Sequence, residues 1–430
     1  MSEIKPFRGV VYDRDSIDGN FADVLAPPYD VISEEKRDEL YDKNPYNVVK
    51  LILGKDLSGD NGADNKYIRA KHLLTEWTEK DVLVRDADEN IYVYVQEYEC
   101  EGKSYRRVGF ISLMKIGEDG NDSLLPHEKT LAKPKEDRMR LIKAVETNLS
   151  PIFVLFYDEK KQIDTILSDK IKREEPFVDV FLDDVRHLFW KVSDKEAISK
   201  VSALIKDEKT FVADGHHRYE VAKQYRDYRR ENKINIGNTD YVMVYFTNMA
   251  EEKGITVFAT HRVIKKMPDI KMEDLISKLS EQFNISVYDN LTDITEGLEK
   301  YFTKSNVFGL FFGGKYLFME VKDRDKIFDL IEGDRKKEWK ELDVSMLHAA
   351  VFDKILSVKS DEGNITYVRD AEKGVDLVLD GTHDAVFIMN PTKVGQLKAV
   401  AEHGEMMPQK STYFYPKLIT GLVINKFDIE

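Results

Sequence analysis

The stretch FVADGHHRYEVA, residues 211–222, sets Asp214, Gly215, His216, His217, Arg218 and Tyr219 side by side between an apolar run and a helical pattern. A helix opening there presents free backbone N–H groups and a partial positive charge, which attract anions. Gly215 allows the backbone to approach a ligand closely. Arg218 supplies a permanently charged planar fork suited to phosphate or carboxylate. His216 and His217 can donate hydrogen bonds or carry protons near neutral pH. Asp214 suits a proton acceptor, a group that orients a histidine, or a Mg2+ ligand. The expectation is a phosphate cradle with Asp214, His216 and His217 as catalytic groups, Gly215 and Arg218 on the phosphates, and Tyr219 beside the substrate. The competing reading is a plain capped helix with Asp214 as N-cap. Adjacent histidines point in different directions, so zinc would need a remote partner such as His127 or His261.

Three further stretches carry comparable groups. LPHEKTLAKPKEDRMRLIKA (125–144) crowds His127, Glu128, Lys129, Thr130, Lys135 and Arg138 around Pro134. Cations in a loop ahead of a helix again suit phosphate, and Glu128 is the candidate base; an exposed charged loop is the alternative. GEMMPQKSTYFYPKL (404–418) sets Gln409, Lys410, Ser411 and Thr412 between Pro408 and Pro416, with Lys417 directly after Pro416. Lys410, Ser411 and Thr412 are phosphate-binding candidates and Gln409 a substrate contact, against a segment that simply packs its aromatics. APPYDV (26–31) holds Tyr29 and Asp30 behind a stiff Pro-Pro pair, as a pocket wall or a rigid connector. His261 and Arg262 of ATHRVI, with Asp343, Ser345 and His348, are weaker candidates.

These groups need a scaffold. Residues 90–116 alternate as a β-hairpin turning at EGK. SPIFVLFYD, residues 174–193, TFVADG and DAVFIMNPT read as strands, and NVFGLFFGGKYLFMEV as a hairpin turning at Gly313–Gly314. YNVVKLIL (46–53) also reads as a strand. DYVMVYFTNM and ITVFATHRVI read as a strand pair. Helices are expected after Ser33, over 66–84, from about 135 to 147, over 195–206, after Gly215, over 343–357 and from 394, with a charged, mostly helical stretch at 265–305. Interleaved strands and helices give an α+β (mixed α/β) fold class.

The 430 residues carry a formal charge of −14, which argues against broad nucleic-acid binding. The apolar stretches are too short to span a bilayer. The N-terminal stretch has no apolar signal region, so a cytoplasmic protein is expected. The single cysteine, Cys100, excludes an internal disulfide and a cysteine-rich zinc site. No P-loop, dinucleotide fingerprint, nucleophile elbow or HExxH occurs.

FRG, APPYDVIS, PHEKTLAKPKEDR, NLSPIFVLFYD, FVADGHHRYEVA, ATHRVI and MPQKSTYFYPKL resemble, in order, the signature blocks of the prokaryotic domain-of-unknown-function family 1015. DGHHR also resembles the glycine-histidine-arginine element of the ParB/sulfiredoxin superfamily, in particular its free serine kinases. That resemblance implies a ParB/sulfiredoxin-like core in which Gly215, His217 and Arg218 hold nucleotide phosphates. It implies phosphoryl transfer in serine metabolism, by an L-serine kinase or a phosphoserine phosphatase. Mg2+ is the expected cofactor, with ATP or ADP for a kinase. The alternative is a non-catalytic regulatory protein that binds a nucleotide or phosphometabolite. No cysteine precedes the histidine-arginine pair, which departs from sulfiredoxins. The expected organisation is 1–260 as the catalytic region carrying APPYDV, HEKT and DGHHRY, 261–383 as an accessory α+β subdomain, and 384–430 as a strand-helix-loop returning to the site. The expected partner is a small phosphorylated metabolite or nucleotide, with no nucleic acid and no membrane; self-association is left open.

Overall fold

The computed structural model describes residues 2–100, 102–118, 124–125, 132–235, 237–250, 254–358, 363–408 and 410–428. The fold is mixed α/β, and the chain divides into two compact units. The first joins Met1–Pro126, Thr130–Thr256 and Pro416–Glu430; the second is built on Val257–Tyr415. Among the described residues no helix is long and apolar enough to cross a membrane.

The first unit is organised by a nine-stranded sheet. Its order runs Leu124–Leu125, Thr210–Asp214, Ile152–Phe156, Tyr241–Asn248, Lys103–Lys115, Ile91–Cys100, Val185–Val192 and Val178–Leu182, with Ile4–Lys5 paired to Lys103–Lys115. Neighbours are antiparallel except where Ile152–Phe156 runs parallel to Tyr241–Asn248 and Thr210–Asp214 parallel to Leu124–Leu125. Three of these strands position the site: β1 (Ile152–Phe156), β2 (Thr210–Asp214) and β3 (Tyr241–Asn248). β1 is buried along its whole length, as an apolar strand covered on both faces must be. Two helices complete the frame, α1 (Ala132–Val145) and α2 (His216–Glu231). Ile142 of α1 meets Val221 and Tyr225 of α2 and Phe427 in a small apolar cluster.

The second unit is a six-stranded antiparallel sheet, ordered Phe283–Tyr288, Lys315–Val321, Val307–Phe312, Ala385–Met389, His261–Ile264 and Ile365–Val368. One face packs on Leu275, Leu279 and Phe352, the other on Ile294, Leu298 and Val375. Ala385–Met389 is thus a strand of this second sheet, and the first unit takes up the C-terminal segment only from Pro416.

Several expected elements differ. Residues 46–53 do not form a strand; Val49–Ile52 is a short helix. The Asn47 side chain accepts from the Val49 amide at 2.8 Å and donates to the carbonyls of Asp23 and Leu25. That local bonding and the burial of Val48, Val49, Leu51 and Ile52 override β-branched propensity. Pro134 does not delay the helix to 135: α1 begins at Ala132, and a proline in the first turn removes an amide that has no intrahelical partner. Tyr241–Asn248 and His261–Ile264 do not pair, because they belong to different sheets. The helix over 343–357 is α-helical only over Asp343–Leu347, and His348–Leu356 is a π-helix. The charged stretch 265–305 holds two helices, Met272–Leu279 and Leu291–Tyr301, around the strand Phe283–Tyr288.

Candidate anion-binding site

Asp214 ends β2 and Gly215 turns the chain into α2. Val212 pairs with Val154 and Asp214 with Phe153, so Ala213 is an extra residue in the ladder. Such a bulge bends a strand and re-aims the side chains after it. Gly215 has φ +94°, the left-handed region, and it fills the N-cap position of α2 with no side-chain cap. A Cβ at Gly215 would lie 2.9 Å from Arg218 Nη2. Glycine therefore serves two needs, the backbone turn and the space for Arg218 to fold back over it.

Arg218 Nη2 donates to Asp214 Oδ2 at 2.9 Å, and Nη1 donates to Ser150 Oγ at 3.2 Å and to the Pro151 carbonyl. From the C-terminal segment Lys417 Nζ donates to Asp214 Oδ1 at 2.5 Å. Asp214 is therefore a bridge between two cations rather than a helix cap. Burial alone raises its carboxyl, but Lys417 and then Arg218 outweigh this and hold it well below the usual carboxylate range. Lys417 has its own support. The fully buried Arg107 donates through Nε to Gln96 Oε1 at 3.0 Å and through Nη2 to the Pro416 carbonyl, while Gln96 Nε2 donates to the Lys417 carbonyl at 3.0 Å. The Arg107–Gln96 pair thus fixes the backbone from which Lys417 reaches Asp214.

Tyr29 and Arg138 join this network. The Arg138 guanidinium lies 4.1 Å from the centre of the Tyr29 ring, donates to the Ile52 carbonyl at 2.8 Å and pairs with Asp137. Asp137 in turn accepts from the Tyr67 hydroxyl at 2.8 Å. Burial raises the Tyr29 hydroxyl, partly offset by Arg138 and Arg218, so it stays protonated at neutral pH. Among the described residues the Tyr29 hydroxyl has no hydrogen-bond partner. Tyr29, Arg138, Ser150 and Arg218 border a cavity of about 60 Å³ that runs between α1, α2 and the sheet.

The other expected site residues are distributed as follows. His216 is buried and His217 half-buried at the start of α2. Tyr219 does not face a ligand; it is 2% exposed and packs in the apolar core of the first unit. Its position one turn into the helix, on the side of Ala222, sends it inward. Lys135 is half-buried in α1 and Asp30 is exposed. Lys410, Ser411 and Thr412 belong to the second unit. There the Lys410 carbonyl accepts from Arg262 at 3.1 Å, and the buried Ser411 hydroxyl donates to the Pro408 carbonyl at 2.5 Å. His127, Glu128, Lys129, Thr130 and Gln409 lie outside the described residues. Ser150 and Lys417 gain roles that residue type alone did not assign. Each sits beside a proline, in NLSPIF and YPKL.

The metal role expected for Asp214 does not fit this arrangement. Both of its oxygens already accept from cations, so a Mg2+ there would add a further positive charge beside Lys417 and Arg218. Among the described residues no group of three or more His, Cys, Asp or Glu is placed to hold a metal ion.

The fold is mixed α/β, and Tyr29, Arg138, Ser150 and Lys417 gather at a strand–glycine–helix turn. The chain belongs to the family described as protein of unknown function (DUF1015), whose model matches residues 4–345. No match is found among curated proteins. Solved structures similar to this chain include a conserved hypothetical protein from Pyrococcus furiosus, at 13% identity and TM-score 0.34, covering 72% of this chain and 94% of that one. A free serine kinase in complex with AMP aligns at 13% identity and TM-score 0.32, covering 70% and 89%. SbnI with C-terminal truncation from Staphylococcus aureus aligns at 13% identity and TM-score 0.36, covering 74% and 87%.

Proposed function

We propose that this protein is a phosphoryl-transfer enzyme acting on a small metabolite, with a nucleotide as donor if it is a kinase. The observation that carries the proposal is the ionised Asp214 held between Arg218 and Lys417 at a left-handed glycine that opens a 16-residue helix. A transferring phosphoryl group spreads negative charge over its oxygens, so preorganised cations and backbone N–H groups stabilise it. Lys417, Arg218 and the first amides of α2 supply both. A carboxyl held this far below its usual range binds a proton weakly, so Asp214 serves to aim the two cations rather than to act as the base. The acceptor is then activated by another group, for which His217 and Glu128 are our assignments. The resemblance of DGHHR to free serine kinases directs the finer proposal to serine metabolism, as an L-serine kinase using ATP or ADP or as a phosphoserine phosphatase.

A second reading, a sensor that binds a nucleotide or phosphometabolite without turnover, is favoured by one observation. Asp214 holds both Arg218 and Lys417 through its two oxygens, an arrangement that suits binding as well as chemistry.

31P NMR tests both readings. The full chain is incubated with ATP or ADP plus L-serine, or with phosphoserine alone, each with and without Mg2+, and with Arg218→Ala as control. A growing phosphoserine resonance identifies the kinase, and inorganic phosphate from phosphoserine identifies the phosphatase. Unchanged spectra, together with a nucleotide-induced rise in melting temperature, would replace the enzyme by the sensor.

A further inference from the structure

We infer that the chamber behind Tyr29, Arg138 and Arg218 is a size-limited pocket for a compact carboxylate, held with its carboxylate at the mouth and its remainder inside. The inference goes beyond the phosphoryl-transfer reading and does not rest on it.

Charge sets the ligand's sign. Among the described residues two guanidinium groups and no carboxylate line the chamber, and Asp137 and Asp214 pair with those arginines. The Tyr29 hydroxyl stands beside both arginines as a protonated donor with no partner among the described residues. A carboxylate placed there would receive the hydroxyl proton and face two positive groups. Tyr29, Ser150 and Arg218 are half-buried, whereas Ile152, Val221 and Val242 deeper in are buried, so the polar end is the mouth.

Lining and volume set the remainder. The deep walls are apolar, formed by Leu149, Ile152, Val221 and Val242. Two polar side chains also line the chamber, and both already have partners within the protein. Thr147 Oγ1 donates to the Val145 carbonyl at 2.7 Å, and Asn148 Oδ1 accepts from the Met243 amide at 3.2 Å and from Asn425 Nδ2 at 3.0 Å. A second charged group inside would find few polar atoms among apolar walls and would lose most of its hydration. At about 10–15 Å³ for each water, 60 Å³ is room for only a few water-sized groups. A nucleoside is excluded, so any nucleotide must bind outside the chamber.

The test is isothermal titration of the full chain, without nucleotide, against butyrate, phenylacetate and inorganic phosphate. Butyrate should bind and phenylacetate should not. Val221→Leu puts one more methylene into the chamber and should weaken butyrate at least tenfold while the melting temperature holds or rises. Tyr29→Phe removes only the hydroxyl and should also weaken butyrate about tenfold, so the proposal stays testable should the filling variant fold poorly. Butyrate that fails to bind, or binds equally to both variants, overturns the pocket. Inorganic phosphate that binds more tightly than butyrate and is lost in Tyr29→Phe also overturns it, since the mouth would then be a simple anion site. These titrations involve no turnover, so their failure leaves the 31P result standing, and a silent 31P experiment leaves them standing.

Discussion

The Asp214 bridge predicts an asymmetry between its two ends. Lys417→Met removes one charge-assisted hydrogen bond but leaves the carboxylate paired with Arg218. The expected cost is about 1.5–3 kcal/mol, the range for hydrogen bonds to charged groups. Asp214→Asn is worse, because Arg218 and Lys417 then face each other without a counter-charge. Their side chains are only 14% and 13% exposed, so solvent screens them little. The expected cost is about 3–5 kcal/mol, as for other buried pairs stripped of one partner. Combining the two changes removes the stranded lysine, so the double variant should be less destabilised than the sum of the singles by at least about 1.5 kcal/mol. The assay is equilibrium urea unfolding in a Trp339→Phe background. The remaining tryptophans, Trp77 and Trp190, are buried in the first unit and report its unfolding alone. The pH dependence carries the same signature. Asp214 has a lowered carboxyl in the folded state against about 3.9 when unfolded. Its contribution is complete above the unfolded value and is lost as pH falls through the folded one. In Lys417→Met the folded value climbs toward the unfolded one, so the contribution is smaller and its loss is complete at a higher pH. Two single variants that each cost under about 0.5 kcal/mol and add would place the bridge among ordinary surface ion pairs, and the argument for a preorganised site would fall.

Other expectations follow from the same contacts. Gly215→Ala should cost about 1–3 kcal/mol from the left-handed backbone alone and should weaken nucleotide binding, because the new methyl displaces Arg218; calorimetric melting and titration read both. Arg107→Met should leave the Gln96 and Pro416 acceptors short of a donor at about 1–3 kcal/mol each, and should raise KM for the phosphosubstrate more than it lowers kcat if Lys417 loses its aim. His187 and His261 are held neutral with values lowered to about 4, and His348 to about 3, by burial first and by nearby Arg107 or Arg262 second. The unfolded chain binds these protons near 6.5, so stability should fall by about 1.4 kcal/mol per pH unit for each histidine as pH drops from 6.5 toward 4. His187→Phe should flatten that slope in the first unit, and urea midpoints measured across this window decide it.

Much of the scaffold was legible because its signals are local. Ser33 caps its helix by accepting from the Lys36 amide at 3.2 Å. The 91–115 hairpin follows from period-2 alternation, and Gly313 and Gly314 take the positive φ values that their turn requires. Where local signals conflicted with packing, packing won. Residues 46–53 look like a strand by propensity, but Asn47 ties their backbone into a helical turn. Tyr219 looked like a site residue by adjacency, but the helical period turns it to the core.

The sequence by itself marked the turn where charged groups gather. Asp214, Gly215 and Arg218 were legible because a glycine between a strand and a helix, flanked by charges, has few other uses. Tertiary structure alone decided how those charges are connected. Lys417 lies 203 residues from Asp214 and Ser150 lies 68 from Arg218, and no periodicity reports such contacts. The sheet sets them together by placing β1 beside β2 and by holding the Pro416–Lys417 backbone on Arg107. The role of Asp214 changed accordingly, from a candidate base or metal ligand to a clamp for two cations. The proton affinity of a carboxyl depends on what surrounds it in space, and the order of residues along the chain does not specify that.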